Sequence, residues 1–222
     1  MPPPRTTPRV RQSPELRRTM LLDATIAAVQ RKGFDGVTVR DVASEAGVSS
    51  GLLHHYFTAF PELLAEAFAR AAQEDMDELA AEVAAWEDPR ERLDHMVERY
   101  APTTREPTWI LWISAWGAAP RHDALRATAA RLTEVWTEQF ASVLADGTRT
   151  GVFRCPDPHA AARRLAVFLD GLATQVIALG TLDLAEMAGD VAAAVAAETG
   201  LAPADFPTIA SMTRAAPAGP KR

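Results

Sequence analysis

Residues 39–57 read VRDVASEAGVSSGLLHHYF, and the fold is decided there. Thr38-Val39-Arg40-Asp41 carries the signature of a capping box, a hydroxyl followed three residues later by a carboxylate, and opens a short helix to about Ala46. Gly47 ends that helix, since a sharp turn needs a positive φ that glycine adopts without strain. Ser49 stands where it can cap a second short helix running to about Phe57. Val42, Ala43 and Ala46 are small enough for close packing. Val48 and Leu53 plug inward, while Ser49, Ser50, Leu52, His54 and His55 point outward. Two short helices across a tight turn predict a helix-turn-helix. Small residues opening its second helix let backbone N–H groups approach phosphate.

Working outward, the flanks continue the helical pattern. Ser13-Pro14-Glu15 is a helix start, and apolar residues recur at Leu22, Ile26 and Val29 until Gly33. Pro61 opens a long helix to about Trp86. Beyond it, Asp88-Pro89, Pro102, Glu106-Pro107, Pro120, Gly147/Gly151, Pro156/Pro158, Gly180 and Gly200 separate amphipathic stretches. No period-two alternation is sustained and Ala and Leu abound, so the predicted fold is all-α, with about nine or ten helices. The expected domains are a flexible basic arm (1–12), a helix-turn-helix DNA-binding domain (13–60) and a larger helical ligand-binding and dimerisation domain (61–202). A disordered Ala- and Pro-rich tail (203–222) follows.

Composition narrows the function. Charged residues make up 23% of 222 and hydrophobic ones 48%, values of a globular protein. The net charge is −6, yet residues 1–60 hold eight Arg/Lys against five acids. A basic end on an acidic body is what a protein shows when one end meets nucleic acid. A single cysteine, Cys155, excludes an internal disulfide and fits a reducing compartment. The N-terminus lacks the apolar stretch of a secretory signal, and Leu165–Leu179 is too short for a bilayer and interrupted by Asp170, so a cytoplasmic protein without membrane contact is expected.

Gly33-Phe34…Val37-Thr38…Val42-Ala43…Ala46-Gly47-Val48-Ser49…Gly51…Tyr56-Phe57…Leu63-Leu64 resembles the DNA-binding domain of the TetR family of bacterial regulators. More loosely, Trp109…Trp112…Trp116, Gly151-Val152-Phe153, Asp157-Pro158 and Asp170-Gly171-Leu172 resemble the C-terminal domain of its choline-responsive, BetI-like subgroup. The resemblance implies that Thr38 caps its helix and touches phosphate and that Arg40 reaches backbone or a base edge. It places Ser49, Ser50 and Gly51 over the groove, Leu52, His54 and His55 at base edges, and Tyr56 on phosphate. The chain departs from the family at His54, where tyrosine is frequent, and at Ala59-Phe60, where a Ser-Lys pair supplies a cap and a phosphate contact. Arg5, Arg9 and Arg11 of the arm are placed to compensate in the minor groove.

The larger domain exceeds what dimerisation needs. Trp109, Trp112 and Trp116 share one helix face, which makes them either core or the wall of a pocket; Trp136, Trp86, Met96 and Tyr100 are candidates to join them. Asp170 lies in the apolar run LAVFLDGLA, where it caps, pairs with an arginine, or marks the pocket. Aromatic walls with Asp170 or Glu98 suit a quaternary ammonium or polyamine, while the same walls suit a neutral aromatic or hydrophobic effector. Two stripes, Phe168, Leu172, Val176, Leu179 and Met187, Val191, Val195, are the expected homodimer interface, forming a four-helix bundle.

The sequence therefore predicts a ligand-responsive regulator, a repressor in most of the family, on a double-stranded operator with two-fold symmetry. The rival is a helical partner-binding or small-molecule-binding protein without an operator. An enzyme using His95, His122 or His159 is disfavoured: GxSxG, HExxH, CxxC and phosphate-loop patterns are missing, so no catalytic residue, metal or cofactor is expected. His54 and His55, being adjacent on a helix, do not face one ion.

Overall fold

The computed structural model describes residues 13–100, 107–182, 184–207 and 209, and among them every regular element is helical. The first, α1 (Pro14–Lys32), starts where Ser13 Oγ accepts the Leu16 N–H at 3.2 Å and stops at Gly33, whose φ is 73°. Then come α2 (Val39–Glu45) and α3 (Ser50–Tyr56). The predicted capping box forms: Thr38 Oγ1 accepts from the Asp41 N–H at 3.3 Å, and Asp41 Oδ2 accepts from the Thr38 N–H at 3.0 Å. Gly47 takes φ 64° between the two helices. Ser49 occupies the cap position of α3, but its side chain makes no capping bond. The Ser49 carbonyl instead accepts the Leu52 N–H at 3.0 Å, so main chain alone closes the first turn.

The long α4 (Phe60–Ala84) begins one residue before Pro61, behind an uncapped Ala59. Its buried side runs Leu63, Leu64, Ala67, Phe68, Ala72, Met76 and Leu79, so one helix supplies core to both domains. The larger domain adds α5 (Pro89–Tyr100), α6 (Pro107–Ala118), a short 3-10 turn (Ala119–Arg121), α7 (Asp123–Arg149), α8 (Pro158–Ala173) and α9 (Leu184–Thr199). The 27-residue α7 is its axis, packed against α4, α5, α6 and α8. From α8 the chain continues as a wider π-helical turn (Thr174–Leu179), ended by Gly180 at φ 63°.

Three expectations need correction. Gly147 does not break a helix. It lies inside α7, and a Cβ there would stand 2.1 Å from Phe153 Cδ2, so this glycine marks a close approach and not a stop. The tail does not begin at residue 203: Pro203–Asp205 forms a 3-10 turn, and Phe206 and Ile209 are fully buried. The Ile209 N–H donates to the buried Asp94 Oδ1 at 3.0 Å, a polar anchor that lets this segment close over apolar surface. Finally, Leu172, Met187, Val191 and Val195, expected at the dimer interface, are buried within the protomer. Their stripes cover this chain's own core, so they are not the face offered to a second copy. Phe168 and Val176 are half-buried, and Leu179 is 60% exposed. The predicted arm (1–12), residue 208 and residues 210–222 of the predicted tail lie outside the described residues.

Candidate DNA-binding face and effector cavity

The helix-turn-helix presents the residues that the sequence placed outward. Thr38, Arg40, Ser49, Gly51, His54 and His55 are exposed, and Ser50, Leu52 and Tyr56 are half-buried at the edge of the same face. Leu53 and Val42 are buried beneath it. Tyr56 packs edge-on against the His55 ring at 5.4 Å, which holds the two side chains in fixed relative positions. Charge is less free than the composition implies. Arg31 pairs with Glu45, Arg18 with Glu66, and Lys32 Nζ donates to Asp41 Oδ1 at 2.7 Å. Lys32, with the Thr38 hydroxyl and N–H, holds the Asp41 carboxyl down to about 2. Arg40 has no ionic partner among the described residues and stays available for phosphate.

The larger domain contains a cavity of about 40 Å³, room for more than one water. Its walls are Tyr100, Trp109, Trp112, Trp116 and Trp136, with Asp75, Arg99, Thr108 and Thr133 as the polar part. The tryptophan stripe of α6 thus lines a cavity and is core at the same time: Trp109 and Trp112 are nearly buried. Tyr100 meets Trp109 and Trp136 edge-on, with centroids 5.3 and 5.1 Å away and planes at 88° and 83°. Trp116 lies 6.2 Å from Trp109 and 5.6 Å from Trp112. Rings set at steep angles form a box whose faces, the negative side of each quadrupole, suit a cation.

Asp170 does not line the cavity itself. Its Oδ1 accepts the Tyr100 hydroxyl at 2.6 Å, directly behind the wall. Burial pushes its carboxyl up to about 6, an effect the Tyr100 hydrogen bond only partly offsets. Burial, with Asp170 beside it, pushes the Tyr100 phenol well above its usual range. A carboxyl raised in the folded state favours folding when protonated, so its contribution is full below about pH 4 and lost as pH rises through 6. Asp170→Asn, which keeps an acceptor for Tyr100, is therefore expected to raise the melting temperature at pH 7.5 and leave it little changed at pH 3.5. A thermal melt at each pH checks this; an equal shift at both would contradict it.

Residues 21–67 match a family described as "Bacterial regulatory proteins, tetR family", and residues 89–200 match "BetI-type transcriptional repressor, C-terminal". The "HTH-type transcriptional regulator BetI" of Paraburkholderia xenovorans is 34% identical over 167 residues, covering 71% of this chain and 80% of that protein. The chain belongs to the tetR family. Among solved structures, a putative transcriptional regulator from Saccharomonospora viridis in complex with choline is 29% identical, with a TM-score of 0.66 over 74% of this chain and 86% of that one. A putative transcriptional regulator from Pseudomonas aeruginosa PAO1 is 26% identical, with a TM-score of 0.70 over 92% and 96%.

As a tetR-family regulator of the BetI type, the chain is a DNA-binding transcriptional regulator and not an enzyme. The histidines considered for catalysis each face a carboxylate in partly exposed positions: His95 Nε2 is 2.8 Å from Glu82, His122 Nε2 2.9 Å from Asp35, and His159 Nε2 3.5 Å from Glu138. No group of His, Cys, Asp and Glu among the described residues is arranged to hold a metal, and no described helix is long and apolar enough to cross a membrane. Cys155 is buried, and burial pushes its thiol up, away from reactivity.

Several expected cavity residues fall elsewhere. Trp86 is 44% exposed, Met96 faces a groove between α4, α5 and α7, and Glu98 stands near His95 at 3.6 Å. Asp75, Arg99, Thr108 and Thr133 escaped sequence reasoning. Asp75 and Thr133 look like ordinary helix-surface residues, and only the packing of α4 and α7 turns them inward. An aromatic chain and a pair of bonds to one carboxylate tie this tetR-family cavity to its DNA-binding domain. Trp112 packs edge-on to Phe68 of α4 at 4.9 Å, and Phe68 to Phe34 after α1 at 5.9 Å. Just past α6, Arg121 and His122 both bond Asp35.

Proposed function

We propose that this regulator binds, as a homodimer, a two-fold symmetric operator with α3 in the major groove, and that a small organic cation in the aromatic cavity releases it. The family supports the operator and the repressor role, and the Saccharomonospora viridis relative was solved with choline. A symmetric operator asks for a symmetric dimer. The outer faces of α8 and its π-helical extension offer Val167 at 66% exposure, Gly171 and Leu179 as the contact, with Gly189 and Ala193 of α9 beside them. Such a protein acts in the cytoplasm, where the operator is.

The observation that carries the effector class is the box of Tyr100, Trp109, Trp116 and Trp136 beside carboxylates. Asp75 stands in the wall and Asp170 behind it. Arg99 is already engaged, its Nε 3.3 Å from Glu82 and its Nη2 3.8 Å from Asp75. Acids therefore outnumber the one guanidinium, which disfavours an anion. Each ring facing a desolvated cation contributes about 0.5–2 kcal/mol. A ligand releases the operator only by binding the two domain arrangements unequally. Of the four helices that line the cavity, α4 and α6 also bear Phe68 and, through the following turn, Arg121, so they are the levers that reach the recognition helix.

Tryptophan fluorescence titrated with choline, betaine, spermidine and a panel of flat neutral compounds tests the effector class. Choline is expected to change the emission saturably, and Trp109→Ala is expected to weaken that response about tenfold or more. A response confined to the neutral compounds would replace the cation with a neutral effector.

A further inference from the structure

We propose that Asp170 is the countercharge that makes the cavity prefer a cation over a neutral molecule of the same shape, acting through the Tyr100 phenol. The inference rests on the cationic-effector function above and assigns a role to a residue that the effector does not touch. Asp75, the carboxylate in the wall, has Arg99 beside it at 3.8 Å, so much of its charge is offset. Asp170 has a different partner. Among the described residues the group bonded to it, Tyr100 Oη at 2.6 Å, is a neutral phenol, and its half-buried position behind the wall reduces solvent screening of its charge.

The geometry gives that charge a path to the ligand. Tyr100 stands between two other walls of the box, 5.3 Å from Trp109 and 5.1 Å from Trp136. A phenol that donates a hydrogen bond to a carboxylate carries more electron density in the ring, and the ring face is what a cation meets. The direct field adds to this: a unit charge about 10 Å from a ligand cation, at an effective dielectric of about 20, changes affinity by about tenfold. A neutral ligand feels neither effect.

The alternative is that Asp170 merely fixes the Tyr100 ring, and one substitution separates the two roles. Asp170→Asn keeps an oxygen to accept the Tyr100 hydrogen bond and removes only the charge. Calorimetric titration of the full chain at pH 8 with choline, and with dimethylbutanol in which a carbon replaces choline's nitrogen, reads the preference directly. Wild type is expected to prefer choline, and Asp170→Asn to lose about tenfold of that preference while binding dimethylbutanol unchanged. Tyr100→Phe, which keeps the ring and breaks the link, is expected to lose preference in the same direction, with folding checked by circular dichroism. If wild type prefers choline and Asp170→Asn retains the whole preference, Asp170 is structural and this inference falls while the proposed function stands. If wild type shows no preference for choline, the cationic effector falls and takes this inference with it.

Discussion

Ser50→Glu combined with His55→Glu is expected to weaken operator binding at least a hundredfold while leaving far-UV helicity unchanged. Both positions lie on the outward face of α3, Ser50 half-buried at its start and His55 exposed, and neither belongs to the core. Fold and binding are therefore separable here, because Leu53 and Val42 hold the helix-turn-helix from below. In a dimer the double variant brings four carboxylates against phosphates and base edges. Losing one good base contact costs about 1–3 kcal/mol, and like-charge repulsion adds to it. With Arg18, Arg31 and Lys32 already paired to acids, few cations on this domain remain to offset the change. Fluorescence anisotropy on a labelled operator at fixed salt measures the effect. A loss under fivefold would mean that α3 is not the reading element.

The second large effect concerns assembly. Val167→Arg with Gly171→Arg is expected to yield a folded monomer whose operator affinity falls by about a hundredfold or more, because one half-site supplies too few contacts. Val167 is 66% exposed and a Cβ on Gly171 meets open space, so both arginines are accommodated without disturbing the protomer. Leu172, the next residue, is 7% exposed and faces this chain's own core. Leu172→Arg would bury a charge and lower the melting temperature steeply, a different failure from monomerisation. Light scattering, together with a thermal melt, separates the two. A Val167/Gly171 variant that remains dimeric would move the interface to another face.

What the sequence reveals and what it conceals divides along the range of the interactions. The helix-turn-helix was legible because its determinants are local: Ser13 over Leu16, Thr38 with Asp41, and glycines at positive φ at positions 33 and 47. The tryptophan face of α6 was legible from spacing alone, although periodicity did not say whether those rings line a cavity. Asp75, Arg99 and Thr133 were not legible, since three separate helices bring them together and none carries a local signal of it. The interface stripe failed for a related reason. In α8 and α9 apolar or small residues also stand on the outer side, among them Val167, Gly171, Gly189 and Ala193, so period gives an angle but not which face turns inward. Burial of Met187 and Val191 decides that, and it depends on what packs against α9, namely α8 and the 3-10 turn Pro203–Asp205. Gly147 shows the same limit in one residue: a glycine that reads as a stop exists to admit the Phe153 ring.

Selection from a random duplex pool by the full-length chain, run with and without choline, tests the central claim most directly. The predicted result is enrichment of one sequence with two-fold symmetry, lost when choline is present and retained when dimethylbutanol replaces it. Enrichment of no sequence would contradict the account of this chain as an operator-binding regulator, and an enriched site indifferent to choline and to every other cation tried would contradict its effector cavity.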